Sequence, residues 1–251
     1  MNRNLTQYHI VIPARYASSR FPGKPIVDIN GKTMLQHVYE VAEKSNAQSI
    51  VIATDDQRIF DVASVFCDKV LMTSSEHQSG TDRLAEVCQM MAWTDDEVVV
   101  NLQGDEPLTP PELLQQVAEN IHNYQDASIA TLTTPVHEQD EIHDSNIVKV
   151  VTDINGYALY FSRAIIPFQR DLHERCDSDL YQRHLGIYAY RVAFLNAYNQ
   201  MSQCELETVE KLEQLRAMYH GYKIHTQQAV MLPGPGIDTP DDLKKIHSLL
   251  V

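Results

Sequence analysis

Apolar residues occur along this chain in short runs of two kinds. One kind is continuous and rich in β-branched residues. His9–Ala14 (HIVIPA), Ser49–Thr54 (SIVIAT), Lys69–Met72 and Glu97–Leu102 (EVVVNL) are largely apolar, as strands buried on both faces are. The other kind recurs every three or four residues. Leu35, Val38 and Val41 mark a helix over Met34–Ala42, and Arg58–Phe66 reads as a second. Ser79-Gly80-Thr81-Asp82 is a capping signal for a third helix. Thr109-Pro110-Pro111-Glu112 opens a fourth, with Thr109 as cap, a proline first and a carboxylate third. This alternation predicts an α/β fold: an open, mostly parallel sheet with helices on both faces.

Between Ala127 and Tyr190 the texture changes. SIATLTTPV, IVKVV, YALYFS and LGIYAY read as strands separated by turns. Helical spacing returns over Glu205–Tyr219, which places Leu206, Val209, Leu212, Leu215 and Met218 on one face, and Asp241–Leu250 predicts a last helix. No repeat, low-complexity tract or long linker divides the chain.

Composition acts mainly by exclusion. With 251 residues, 43% hydrophobic and 22% charged, the chain can bury one large core and is not of disordered type. Its 34 acidic against 20 basic residues leave a net charge of −14, which argues against a nucleic-acid partner. Cys67, Cys88, Cys176 and Cys204 form no CxxC pair and read as reduced thiols. The N-terminal apolar run is too short for a signal peptide, and no segment approaches the ~18 apolar residues of a membrane span. The expectation is a soluble cytoplasmic protein.

Ligands of open α/β sheets bind outside the carboxyl ends of the strands. Two segments with suitable chemistry fall there, and a third is a candidate to return to the same crevice. The loop Ala14–Pro25 (ARYASSRFPGKP) carries Arg15, Arg20 and Lys24 among small residues, which suits a polyphosphate. It is neither a Walker A loop nor a GxGxxG fingerprint. Asp105, in NLQGDEP, is a hard-oxygen donor of the kind magnesium accepts. Asp238, in PGPGIDTPDD, either complements a helix start or returns to the crevice as a second metal carboxylate. In the second half, Arg163, His184, Tyr188, Glu210, Glu213 and Gln214 supply groups for an acidic sugar; on a continuous helix the last three share a face.

Taken together, IPARYASSRFPGKP, ATDD, HQSGTDRLAEV, NLQGDEP, YFSRAIIP, RHLGIYAYR, EKLEQLR and IDTPDDL resemble the 3-deoxy-manno-octulosonate cytidylyltransferases, or CMP-Kdo synthetases, in order and over nearly the whole chain. One departure is GPGIDTP where the family pattern is GTGVDTP; it removes no candidate ligand. The resemblance implies a Rossmann-like nucleotidyltransferase fold with a β-rich sugar-binding and dimerisation lobe. It implies one domain, its nucleotide-binding part about 1–125 plus 230–251 and its sugar-binding part about 126–229. It implies magnesium-dependent transfer of CMP from CTP to Kdo for lipopolysaccharide synthesis, by a homodimer that neither binds nucleic acid nor enters a membrane. The implied nucleotide site is Ala14, Arg15, Arg20, Lys24, Gln78, Ser79 and Arg83. The implied sugar site is Gln103, Arg163, His184, Tyr188, Glu213 and Gln214. Asp105 and Asp238 would hold the metal and, with Lys24, carry catalysis. Other readings of the same residues are transfer to 8-amino-Kdo or a sialic acid, and a non-catalytic nucleotide-binding module. The missing glycine fingerprint argues against a nicotinamide-dependent oxidoreductase.

Overall fold

The computed structural model describes residues 6–17, 21–77, 79–136, 138–170 and 180–246. In chain order the strands are β1 (His9–Ala14), β2 (Asp28–Ile29), β3 (Lys32–Thr33), β4 (Ser49–Thr54), β5 (Val70–Met72), β6 (Val98–Asn101), β7 (Ile129–Pro135), β8 (Lys149–Thr152), β9 (Ala158–Ser162), β10 (Gln182–Arg191) and β11 (Ile224–Gln228). The helices are α1 (Met34–Glu43), α2 (Gln57–Ala63), α3 (Gly80–Met90), α4 (Pro111–Asn123), α5 (Gln139–His143), α6 (Val192–Tyr198), α7 (Glu205–Glu210), α8 (Gln214–Tyr219) and α9 (Pro240–Ile246). None of the described helices is long and apolar enough to cross a membrane.

The main sheet runs β11-β7-β10-β6-β1-β4-β5. β5, β4, β1 and β6 pair in parallel, and β11 pairs in parallel with β7. β10 is antiparallel to both β6 and β7, so it alone runs against the other strands of this path. β8 and β9 extend from β10 as a small antiparallel arm. The sheet is therefore largely parallel, as the alternation predicts.

Both faces are covered because successive strand residues point to opposite sides. Ile10 and Ile12 join the core under α1, α2 and α4 with Leu35, Ile59 and Leu113. Val11 joins the core under α3, α6 and α8 with Leu84, Phe194 and Leu215. A strand apolar at every position fits only such a doubly covered sheet. Cys67, Cys88 and Cys204 are free and buried, as thiols in a reduced core are; Cys176 lies outside the described residues.

Three helix expectations need correction. α2 stops at Ala63, with Ser64 as its cap, short of the expected Phe66. α4 begins one residue later than its sequence suggests, with Pro110 as cap; the Thr109 hydroxyl donates instead to the Glu106 carboxylate at 3.3 Å. More important, Glu205–Tyr219 is not continuous. Lys211 has left-handed geometry (φ 54°, ψ 47°), and the chain breaks there into α7 and α8. Leu206 and Val209 are exposed, whereas Leu212 and Leu215 are buried. The buried Arg216–Glu207 pair, with bonds of 2.8 and 2.5 Å, ties the two short helices across the break. Periodicity did not reveal the break because the spacing of apolar residues is unchanged across it.

Candidate active site

The basic loop leaves β1 at Ala14 and turns back through Gly23. Gly23 has φ 73°, a conformation that favours glycine, and its N–H donates to the Tyr16 carbonyl at 3.0 Å. A short 3₁₀ turn, Lys24–Ile26, follows, and Lys24 points inward at 8% exposure. Its ammonium donates to Asp105 Oδ2 at 2.6 Å, to the Ile237 carbonyl at 2.8 Å and to Asp238 Oδ1 at 3.4 Å. The two aspartates thus converge on one cation, although they come from opposite halves of the chain.

Close backbone approach permits the convergence. A Cβ on Gly104 would lie 3.0 Å from the Pro13 carbonyl, so glycine lets the segment after β6 run against the end of β1. On the other side, the Ile237 N–H donates to the Asp105 carbonyl at 2.9 Å and docks the second aspartate's segment. α9 begins just beyond, with Asp242 accepting from the Thr239 N–H (2.9 Å) and hydroxyl (2.8 Å).

A cavity of about 370 Å³ opens over this cluster, lined by Ala14, Arg15, Lys24, Gln103, Asp105 and Asp238, among others. Arg15 donates to the carbonyls of His77 (2.7 Å) and Ser79 (3.1 Å). Ser79 forms the expected capping box with Asp82, so its hydroxyl is engaged at the start of α3. Arg83 is fully buried, bonded to Asp55 at 2.7 Å and to the Thr73 hydroxyl. It does not line this cavity; it braces the ATDD segment behind it, and burial pulls its pKa down. Arg20 and Gln78 lie outside the described residues.

Gln103 and Gly80 also line a second cavity, of about 310 Å³, together with His184, Tyr188, Glu213 and Gln214. The break at Lys211 decides its shape. Glu213 and Gln214 turn into it, and Glu213 accepts from the Thr81 hydroxyl at 3.0 Å. Glu210 turns away: its carboxylate accepts from the Ser162 hydroxyl (2.6 Å) and the Arg163 N–H (2.9 Å). The three residues therefore do not share a face, contrary to the expectation from a continuous helix. Arg163 is not among the lining residues; its guanidinium donates to the carbonyls of Glu210 (2.7 Å) and Ser145 (2.9 Å).

His184 enters the cavity as a neutral ring, not as a cation. Burial pushes its pKa down to about 3. Its Nε2 lies 3.1 Å from Thr131 Oγ1, whose one proton is shared with the carbonyls of Leu185 and Ile187. The ring therefore donates from Nε2 and keeps Nδ1 as an acceptor. Glu106 stands in the wall of the same cavity with its pKa raised to about 7, first by burial and then by the Asp105 and Asp238 charges. Sequence reasoning missed Glu106, Asn101 and Tyr198 as lining residues. Asn101 alone carried a signal, as the polar last residue of the apolar run VVVN.

A family model described as cytidylyltransferase matches residues 9–224. The chain is 53% identical over 248 residues to the 3-deoxy-manno-octulosonate cytidylyltransferase of Pseudoalteromonas translucida (strain TAC 125), covering 97% of this chain and 98% of that one. It is 48% identical over 250 residues to the enzyme of the same name from Haemophilus influenzae (strain ATCC 51907 / DSM 11121 / KW20 / Rd), again covering 97% and 98%. The chain belongs to the 3-deoxy-manno-octulosonate cytidylyltransferase family. The likeness to this family extends to three dimensions. A solved CMP:2-keto-3-deoxy-manno-octonic acid synthetase complexed with CTP matches with a TM-score of 0.88 at 41% identity, over 98% of both chains. A 4-diphosphocytidyl-2C-methyl-D-erythritol synthase, at 15% identity and a TM-score of 0.63, shares the fold.

Proposed function

We propose that this chain transfers CMP from CTP to the anomeric hydroxyl of Kdo, releasing pyrophosphate, with magnesium as cofactor. The observation that carries the reading is the meeting of Lys24, Asp105 and Asp238 in a cavity that shares Gln103 with a second, hydroxyl-matching cavity. One cavity suits a triphosphate and the other an acid sugar, and the shared wall is where the two must react.

In the reaction the anomeric oxygen bonds to the α-phosphorus. The bond from that phosphorus to the bridging oxygen breaks, its electron pair leaves with pyrophosphate, and the hydroxyl proton passes to solvent. The chain's contribution is orientation and charge. Arg15 and Lys24 supply positive charge to the triphosphate cavity. Gln103 stands between the substrates, while Glu213, Gln214 and neutral His184 offer hydrogen bonds to the sugar. Arg163, which the resemblance assigns to the sugar site, lies outside this cavity's lining and is held at the carbonyls of Glu210 and Ser145.

The donor set fits magnesium. Asp105 and Asp238 are hard carboxylates that both reach the Lys24 ammonium, at 2.6 and 3.4 Å. When bound, magnesium supplies Lewis acidity to phosphate oxygens and lowers the pKa of a coordinated hydroxyl. The same reading places the protein in the cytoplasm, as a homodimer formed through the part around 126–229, on the route to lipopolysaccharide.

The test is pyrophosphate release across the four nucleoside triphosphates with Kdo, 8-amino-Kdo and a sialic acid, with and without magnesium. Release only with CTP, Kdo and magnesium supports the reading. Release with another base or acid reassigns the substrate, and none with any pair overturns it.

A further inference from the structure

The wall of the sugar-side cavity contains polar atoms that nothing in the protein satisfies. Among the described residues, the buried side-chain atoms without a hydrogen-bond partner include Asn101 Oδ1, Tyr198 Oη and Gln214 Nε2. All three residues line that one cavity. Gln214 already belongs to the proposed sugar site; Asn101 and Tyr198 have been given no role.

Both are held where they cannot turn to a partner. Asn101 is the last residue of β6, 5% exposed, and sits in register with Tyr188 on β10. Tyr198 is 2% exposed at the end of α6. Its ring lies against Phe194 (5.7 Å between centroids) and under the Arg216 guanidinium (4.6 Å). Arg216 is itself fixed by Glu207. A buried amide oxygen or hydroxyl left unpaired costs about 1–3 kcal/mol, and folding offers no return for it here. Sites that bind ligands carry such costs, because a group fixed for the ligand is unpaired without it.

The chemistry of the three atoms selects the ligand. Asn101 Oδ1 accepts, Tyr198 Oη donates, and Gln214 Nε2 donates. An apolar ligand would leave all three unpaired. A phosphate would meet the carboxylates of Glu106 and Glu213 in the same wall. A polyhydroxylated ligand matches them, since each hydroxyl both donates and accepts.

We propose that Asn101 and Tyr198 are ligands to hydroxyl groups of the acid sugar and, with Gln214, set its specificity. The assignment rests on the cytidylyl-transfer reading above.

Two variants test it. Tyr198→Phe removes one oxygen, and Asn101→Leu replaces the amide by an apolar group of similar size. Each deletes an unpaired polar atom, so the free variants should melt at or above the wild-type temperature. Their KM for Kdo should rise about 5- to 30-fold, with the CTP KM within twofold, and Kdo should raise their melting temperature less than it raises that of the wild type. Lowered melting temperatures with an unchanged Kdo KM would show a structural role and overturn the proposal, as would an unchanged Kdo KM and Kdo-induced shift. If Asn101→Leu fails to fold, Tyr198→Phe decides alone. If the wild type does not turn over CTP with Kdo, the cytidylyl-transfer reading fails. The Kdo-induced shift, with and without CTP, then decides this proposal: a smaller shift in Tyr198→Phe supports it, and no shift in the wild type overturns it.

Discussion

The Lys24 ammonium lies 2.6 Å from the carboxylate of Asp105, a residue 81 positions later in the chain. The contact joins the loop after β1 to the segment after β6, two neighbouring parallel strands whose carboxyl ends open on the same crevice. Asp238 reaches the same ammonium from the far end of the sequence. The Lys24 ammonium is thus held by carboxylates from two segments distant in the sequence.

If the proposed magnesium site is right, Asp105→Asn and Asp238→Asn should each reduce pyrophosphate release by about 10²-fold or more, because each would remove charge that the metal needs beside the triphosphate. Both side chains keep their shape, so circular dichroism and melting temperature should stay near wild type. Turnover within a few-fold of wild type in either purified variant would remove that aspartate from the metal assignment.

Gly234 sets the path of the segment that delivers Asp238. A Cβ there would fall 2.5 Å from Leu108 Cβ, which is too close for any side chain. Gly234→Ala should therefore shift the chain away from its contact with the Leu108 carbonyl, now 3.2 Å from the Gly234 N–H. The expected result is a loss of about 1–3 kcal/mol in stability and at least a tenfold fall in turnover. Unaltered kinetics would mean that Asp238 is placed by Ile237 and α9 alone.

His184 predicts an acid limb in stability. Its pKa is near 3 in the folded protein against about 6.5 unfolded, so the unfolded chain binds more protons between those values. Stability is complete above about pH 6.5 and declines as pH falls toward 3. Full titration over that range would correspond to about 5 kcal/mol, but the ring also meets the open cavity, so a loss nearer 2 kcal/mol is expected. Melting curves of the wild type and His184→Gln across this range test it. The variant's curve should be flatter below pH 6.5, and parallel curves would exclude His184 as the group responsible.

Lys211 occupies a left-handed position where glycine is favoured. Lys211→Gly should raise stability by about 0.5–1 kcal/mol, a gain of roughly 2 °C in melting temperature for a protein of this size. Lys211→Val should lower it by more than that, because a β-branched side chain tolerates this conformation least. If both substitutions are neutral, the break between α7 and α8 is held by the Glu207–Arg216 pair alone.

Much of the fold was legible along the chain. The runs HIVIPA and SIVIAT became β1 and β4 with the same boundaries, and the Ser79–Asp82 capping box formed as its residues suggested. Strands buried on both faces and caps made by near neighbours are local matters, and local residue types determine them. The candidate site was legible as chemistry: Lys24 and Asp105 stood out by residue type and by their place after predicted strands, and Asp238 by residue type just before a predicted helix start.

What the tertiary structure alone decided was which of those groups meet. Arg83 looked like part of the nucleotide pocket, but it is drawn into the core by Asp55 and Thr73. Glu210 shared a predicted face with Glu213 and Gln214 until the kink at Lys211 turned it toward Ser162 and Arg163. Nothing in residue type separates a cavity-lining Tyr198 from an ordinary core tyrosine; only the missing partner for its hydroxyl does. Partners of this kind come from segments tens to hundreds of residues away. Their meeting is set by how helices and strands pack, not by neighbours along the chain.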